Sequence, residues 1–142
     1  MKKLVIAVAL ASASVLASAT EVGVSAVRDF SGADANGHRI TAGIAGASLS
    51  ATRINDRYSR YAVGKDFQVF KLGPVALSTG AAGVYQDTDK GRDGYGLTLG
   101  TKATYAVTKS IDAIVGMERF VGQDRVRQFN GNIVTAGVSF KF

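Results

Sequence analysis

The sequence predicts an all-β chain that folds as an eight-stranded antiparallel up-and-down transmembrane β-barrel. Three observations support this fold class. From residue 20 onward, apolar residues recur at every second position, in segments separated by stretches rich in Gly, Asn and Asp. No segment there approaches the roughly 20 apolar residues of a spanning helix. The 123 residues left when 19 are removed from 142 allow roughly 15 per strand and connection, which suits eight strands of about 9–11 residues.

The first 19 residues have the three parts of a secretory signal peptide. Residues 1–3 (Met-Lys-Lys) are basic, residues 4–10 are an uninterrupted apolar run, and residues 17–19 (Ala-Ser-Ala) form a small-residue cleavage site. We therefore expect residues 20–142 to form one barrel domain. Without the two lysines of the signal, the 17 basic residues fall to 15 against 11 acidic ones. This modest, scattered charge does not argue for a nucleic-acid partner.

The last eleven residues give the clearest strand. Alternate positions on one face carry Val134, Ala136, Val138, Phe140 and Phe142, and the other face carries small or polar residues and Lys141. Together with the export signal, this aromatic terminal strand resembles bacterial outer-membrane β-barrel proteins. The resemblance is to small eight-stranded barrels similar to outer membrane proteins A and X. It implies location in the bacterial outer membrane, and closure of the last strand against the first. It also implies that the barrel-assembly machinery reads Phe140 and Phe142 as an assembly signal.

The region 38–53 is the most ambiguous part of the strand assignment. Its apolar residues occupy even positions at Ile40 and Ala42 but odd positions at Leu49 and Ala51. Because a slip of one residue turns every side chain to the opposite face, the chain must turn or bulge near residues 45–46. We predict two short strands joined by a tight turn. The alternative is one long bulged strand, which leaves seven strands in all.

The remaining strands are predicted at 21–29, 58–71, 75–86, 94–105, 111–121 and 132–142. Tight turns at 72–74 and 107–110 alternate with longer polar loops at 30–37, 87–93 and 122–130. Tyr95 and Tyr105 end the apolar face of one strand, which places an aromatic ring near each membrane interface. Lys65 interrupts another apolar face, so we expect a bulge there or a position near the interface.

The inward faces carry charges of both signs, and a narrow lumen tolerates a charge mainly when it is paired. We predict Lys102 and Glu118, on adjacent strands, as the best ion pair; the alternative is that the charges are solvated near the strand ends. Inward glycines either leave a water path or permit close packing. The candidate lumen charges are Arg60, Asp66, Lys102, Asp112, Glu118 and Lys141.

The loops offer little catalytic chemistry. His38 is the only histidine, near Asp29 and Asp34, and the chain has no cysteine, so we expect no catalytic residues. Residues 87–93 contain three aspartates but depart from the EF-hand pattern, so we expect no metal and no cofactor. Arg125 and Arg127 are candidate contacts for lipopolysaccharide phosphates.

We therefore expect a non-enzymatic outer-membrane barrel with a structural or surface-interaction role. A small passive pore is the alternative, and a lipid-modifying enzyme ranks third. The expected partners are outer-membrane lipid, lipopolysaccharide and, during biogenesis, the barrel-assembly machinery.

Overall fold

The protein is a closed barrel of eight antiparallel strands, each paired with its neighbours in sequence, with the last strand paired to the first. The computed structural model describes residues 20–142 except 32–33, 45, 56 and 90, and the predicted signal peptide lies outside the described residues. The predicted eight-stranded up-and-down barrel is confirmed. The strands are β1 (Glu21–Asp29), β2 (Ala35–Ile44), β3 (Ala47–Ile54), β4 (Tyr58–Leu72), β5 (Val75–Thr88), β6 (Gly94–Ala106), β7 (Ile111–Gly122) and β8 (Gly131–Lys141).

The predicted division of residues 38–53 into two strands is also confirmed. β2 and β3 form a hairpin in which Ile40 lies opposite Ala51. Gly46 lies in the turn with φ at 81°, a left-handed conformation that glycine adopts at little cost. The change of parity in the sequence therefore marks a turn. β2 begins at Ala35, three residues before the predicted start, and shortens the first loop.

A bulge in β4 lies at a different place from the one we predicted. The ladder with β5 is regular from Tyr58 through Lys65, and the register shifts between Gln68 and Phe70. Val69 is the extra residue, and the shift keeps Phe70 and Leu72 on the outer face. The expected bulge at Lys65 is therefore wrong. Lys65 faces outward in mid-strand, with its ammonium 5.4 Å from the centre of the Phe67 ring.

The two ends of the barrel differ in their connections. The loop end carries the β1–β2, β3–β4, β5–β6 and β7–β8 connections, and the last of these contains a 3₁₀ helix, Asp124–Phe129. The turn end carries three tight turns and the two ends of the barrel chain, where the Phe142 amide donates to the Thr20 carbonyl at 3.0 Å. At the turn end, the described residues of β3 pair with β4 only as far as Ser48 and Gly64, and β4 continues beyond that pair to Leu72.

The stagger of the strands sets which residues share a height. A path that crosses the strands at right angles, starting at Glu21, closes at Ser31, two residues beyond the end of β1 and ten residues along the chain from its start. Each step to the next strand therefore shifts the height by a little over one residue. The path runs through Gly43, Ser48, Gly64, Ala82, Thr98, Phe120 and Gly131, which lies against Ser31.

The outer face of the wall is largely apolar. Seven of the eight strands expose large apolar side chains on it, including Val24, Ile40, Val63, Leu77, Leu99, Met117 and Val138. Near the loop end, Tyr61, Tyr85 and Tyr95 form one cross-strand row, and the last two rings are 5.3 Å apart. Tyr105 lies at the opposite end of β6 from Tyr95, as predicted. Within the described ranges, no helix is long and apolar enough to span a membrane.

Candidate functional site

The lumen is divided into a filled half near the loop end and an open half near the turn end. In the filled half, two apolar clusters fill the space between the strands. One contains Val27, Ile54, Tyr58 and Ile133; the other contains Val84, Phe120 and Val126, and Phe129 packs against both. We call this set the plug. Tyr58, Phe120, Ile54, Ile133 and Val126 are fully buried.

The 3₁₀ helix is part of the last loop rather than of the strand wall, and it completes the plug. Val126 extends from that helix into the mouth of the barrel, where Gly94 and Gly122 make room for it. A β-carbon at Gly122 would lie 2.7 Å from a methyl group of Val126, closer than packed carbon atoms approach. These glycines therefore permit close packing, one of the two roles predicted for inward glycines.

Arg60 is the charged centre of the plug. Its guanidinium lies 3.9 Å from the centre of the Phe120 ring and 4.4 Å from that of Tyr58, within the range of cation–π attraction. Arg60 Nε donates to Gln86 Oε1 at 2.6 Å, and Nη2 donates to the Phe129 carbonyl at 3.2 Å. The second bond ties the 3₁₀ helix to the barrel wall.

A buried carboxylate lies at the loop-end margin of the plug. Asp29 accepts hydrogen bonds from the Tyr58 hydroxyl at 2.5 Å and from the Ser31 amide at 2.8 Å. Arg57 Nη1 is 3.8 Å from the same carboxylate. These contacts join the end of β1 to its own loop, to the β3–β4 loop and to the start of β4, so the Asp29 carboxylate is held in a structural network at the loop end.

The open half of the lumen contains a polar cavity of about 340 Å³. Its wall consists mainly of small residues, including Ser48, Ser78, Gly80, Gly100 and Gly116. Thr20, Glu21 and Gly43, at the turn end, also line it. A β-carbon at Gly80, Gly100 or Gly116 would nevertheless lie within 3 Å of a neighbouring atom, so these glycines also permit close contacts within the cavity wall.

Two ion pairs lie in the cavity wall, and their partners differ from the predicted ones. Glu118 accepts two hydrogen bonds from Arg39, at 2.5 and 2.8 Å, and Arg39 Nε donates to Thr52 at 2.7 Å. Lys102 Nζ lies 2.8 Å from Asp66. The predicted Lys102–Glu118 pair is therefore wrong.

The glycine on the intervening strand explains the partner of Lys102. Asp66 on β4 and Lys102 on β6 are separated by β5, where Gly80 lies opposite Asp66. A β-carbon on Gly80 would be within 2.1 Å of the Asp66 carboxylate. Because glycine has no side chain, Asp66 can lie across β5 and reach Lys102. Arg39 needs no such gap, since its side chain is long enough to extend from β2 through the lumen to Glu118 on β7.

The other predicted lumen charges lie at the turn end. Lys141 Nζ is 2.5 Å from Asp112 Oδ2, and Asp112 is buried although Lys141 is largely exposed. The six candidates thus occupy three places: Arg60 in the plug, Asp66, Lys102 and Glu118 at the cavity, and Asp112 with Lys141 at the turn end. Our sequence analysis missed Arg39, although its alternation with Ile40 and Ala42 on β2 placed it on the inner face.

The loop-end candidates are dispersed. Arg125 and Arg127 are exposed on the 3₁₀ helix, and His38 is exposed on the outer face of β2, away from the buried Asp29. Asp89 binds Arg53 at 3.1 Å, and Asp93 accepts from the Thr88 amide. Within the described residues, no group of three or more acidic, His or Cys side chains is arranged to hold a metal ion.

The predicted assembly residues lie on the outer face at the turn end. Phe140 lies opposite Ile111 of β7 and Val22 of β1. Phe142 follows the end of β8 and is highly exposed. Their placement closes the seam between the first and last strands, and their recognition during assembly stays a prediction.

Comparison with known proteins identifies the fold. No protein-family model matches the sequence, and no curated protein sequence matches it. The N-terminal β-barrel domain of Pseudomonas aeruginosa OprF is similar in structure, with a TM-score of 0.61 and 14% identity over 87% of this chain and 98% of that one.

Two further barrels have a similar structure. Neisserial surface protein A has a TM-score of 0.55 and 19% identity over 86% of this chain and 95% of that one. A de novo designed transmembrane β-barrel has a TM-score of 0.55 and 13% identity, over 87% and 97%. At these identities the likeness shows the fold alone. The chain therefore has the fold of small eight-stranded outer-membrane barrels.

Proposed function

We propose that this protein is an integral barrel of the bacterial outer membrane that does not conduct ions and that supports a structural or surface-interaction role at its loop end. The plug is the observation that carries the proposal. Five fully buried side chains and the stacked Arg60 fill the lumen below the loops. A barrel filled in this way is a rigid support for its loops rather than a passage.

The outer surface supports a location in lipid. Side chains such as Val63, Leu97 and Leu99 expose about 60% of their area on the outer wall, and apolar patches of this extent are otherwise covered by a partner or a membrane. The closed ladder satisfies backbone groups around the barrel, as lipid requires. The exported chain would then meet lipid and lipopolysaccharide, with the barrel-assembly machinery acting during insertion and no nucleic-acid partner.

The loop-end groups support a non-enzymatic role. Asp29 is held by Tyr58 and Ser31, and Asp89 is held by Arg53. His38 lies on the opposite side of the wall from Asp29. A nucleophile, a base and an orienting acid must lie within hydrogen-bond reach of one another; here the two aspartates are engaged in structural contacts and His38 lies apart from Asp29.

A passive pore is the second candidate, and the polar cavity in the open half favours it. A pore requires that cavity to connect to the loop end, where the plug lies. The two functions therefore differ in one measurable quantity, the ionic conductance of the wild-type barrel.

Planar-bilayer recording of the refolded chain from Thr20 to Phe142 tests the proposal. We expect a folded barrel without unitary steps. The double variant Tyr58→Ala/Phe120→Ala removes the two largest fully buried side chains of the plug, and we expect it to conduct. Tyr61→Ala/Tyr95→Ala is the matched control, because these tyrosines face outward near the same end.

Circular dichroism and gel mobility before and after heating report whether each variant is folded. Reproducible unitary steps from the wild-type protein would contradict the closed-lumen proposal and support the pore. Conductance in the outward-facing control variant would show that the recording detects wall damage rather than removal of the plug.

A further inference from the structure

The charges on the outer wall are concentrated at one height. On the outward face of the described strand residues, the charged side chains are Arg28, Arg53, Lys65, Asp87 and Arg119. The three arginines lie near the loop end on β7, β1 and β3, with His38 among them on β2, and Asp87 lies near the same end on β5. Four basic side chains thus gather on one part of the rim.

Cross-strand pairing places hydrogen-bond donors side by side in this region. Arg119 lies opposite Asn132, Arg28 lies opposite Asn36, and His38 lies opposite Arg53. Directly opposed residues have β-carbons about 5 Å apart, so each pair can present two donors to one ligand. We call the set the basic belt: Arg28, Asn36, His38, Arg53, Arg119 and Asn132.

The stagger of the barrel brings the belt to a single level. With a shift of a little over one residue per strand, its members fall within about two residues of the same height, on the order of 5 Å. They extend over five adjacent strands, β7, β8, β1, β2 and β3, a width of roughly 19 Å at about 4.8 Å per strand. The belt is thus a continuous patch parallel to the rim.

The rest of the rim at that end has a different chemistry. On β4, β5 and β6 the outward side chains at the level of the belt are those of the tyrosine row, Tyr61, Tyr85 and Tyr95, and the outward Asp87 lies one outward position closer to the loop than Tyr85 on β5. Tyrosine at such a level suits the boundary between hydrocarbon and headgroups. The row therefore marks where headgroups begin, and it places the basic belt among them on the opposite side of the barrel.

The existing partners of the belt are weak competitors for an anion. Arg28 binds Asp34 at 3.0 Å and Arg53 binds Asp89 at 3.1 Å, but all four side chains in these pairs are between 39% and 61% exposed. Exposed ion pairs contribute at most about 1 kcal/mol. A ligand with several phosphate oxygens can therefore replace these carboxylates, or bind Arg119 and His38 beside them.

We propose that the basic belt is a binding site for the phosphate groups of a phosphorylated lipid in the leaflet at the loop end. This proposal rests on the membrane location proposed above. The belt requires a ligand with two or more phosphates, because its donors extend over about four strand spacings. Acyl chains of the same lipid would lie against the apolar wall below the belt, beside Val24 and Ile40.

The test uses the refolded barrel in phosphatidylcholine nanodiscs doped with diphosphorylated lipid A. Native mass spectrometry and fluorescence titration measure the bound lipid in the wild-type protein and in Arg28→Gln/His38→Gln/Arg119→Gln. The triple variant should bind at least about 10-fold more weakly, because each cation near an anionic headgroup contributes of order a few-fold or more. Dephosphorylated lipid A should bind both proteins equally weakly.

Two controls locate the site. Arg125→Gln/Arg127→Gln removes the exposed arginines of the 3₁₀ helix, which the sequence suggests as competing lipopolysaccharide contacts; if the belt holds the phosphates, this variant retains wild-type binding. Lys65→Gln removes an outward cation in mid-wall and should also retain it. Inorganic pyrophosphate, added up to millimolar concentration, should not displace the lipid if the acyl chains contribute.

Equal binding by the triple variant and the wild type would overturn the proposal, as would loss of binding only in the Arg125→Gln/Arg127→Gln variant. Displacement by micromolar pyrophosphate would overturn the assignment to a lipid and identify a site for soluble phosphate. A barrel that conducts ions yet binds lipid A through the belt would contradict the closed lumen and leave the belt standing, so the two proposals fail separately.

Discussion

Replacing Arg39 by Met should strongly destabilise the barrel, because it leaves Glu118 without its partner in the lumen wall. Arg39 donates two hydrogen bonds to Glu118, and the two side chains are only 11% and 20% exposed. Loss of one partner from a buried pair costs about 3–5 kcal/mol. The cavity supplies some water to Glu118, so we expect the lower part of this range, about 3 kcal/mol in the free energy of unfolding.

Two comparisons isolate the cause of this loss. Arg39→Met/Glu118→Met removes both charges and should recover most of the lost stability, since a well-packed apolar pair replaces a buried ion pair at little cost. Lys102→Met breaks the other cavity pair, in which the two side chains are 35% and 39% exposed, and should cost no more than about 1 kcal/mol.

Equilibrium urea unfolding in detergent micelles measures these free energies. Circular dichroism of the sheet is the suitable probe, because the chain contains no tryptophan. An Arg39→Met variant within about 0.5 kcal/mol of wild type would refute the reasoning. So would a larger loss from Lys102→Met than from Arg39→Met, which would mean that exposure does not govern the strength of these pairs.

The remaining predictions concern the barrel wall. Gly137→Ala should destabilise by about 3 kcal/mol in the same urea assay, because its β-carbon would lie 2.1 Å from a backbone oxygen of β1; Gly83→Ala, whose nearest contact is at 4.0 Å, should be neutral. Deleting Val69 should leave refolding yield unchanged, because it removes only the bulge, whereas deleting Val63 should abolish insertion into vesicles by reversing the faces of the residues up to the bulge. Phe142→Ser should slow barrel assembly in cells without lowering equilibrium stability by more than about 1 kcal/mol; equal assembly rates, measured by pulse-chase, would contradict the predicted signal.

Most of the wall was predictable because strand patterning is local. Alternation placed Arg60, Asp66 and Glu118 on the inner face, and the change of parity between Ile44 and Ala47 located a hairpin. Each of these inferences uses residues within one or two strands. The period of two fixes which way a side chain points as soon as the strand is recognised.

The candidate site was less predictable because its contacts cross the lumen. Arg39 and Glu118 are separated by 79 residues, and their meeting depends on the stagger of eight strands. The place of Val126 in the plug depends on how the last loop folds back into the barrel mouth, and alternation says nothing about a loop. The bulge at Val69 was equally hidden, because either Lys65 or Val69 could absorb an extra residue in an apolar strand.

The sequence by itself determined the inner and outer faces of the strands and the stock of lumen charges, because these follow from periodicity along the chain. It left open whether residues 38–53 form one strand or two, and the structure decided for two. Only the tertiary structure decided which charges pair, which half of the lumen is filled, and that basic side chains from β7, β1, β2 and β3 share one level. The reason is geometric, because closing the barrel with a fixed stagger brings together residues that are distant in sequence. Local features then select which of these neighbours pair; at Gly80, for example, the absence of a side chain lets Asp66 reach Lys102.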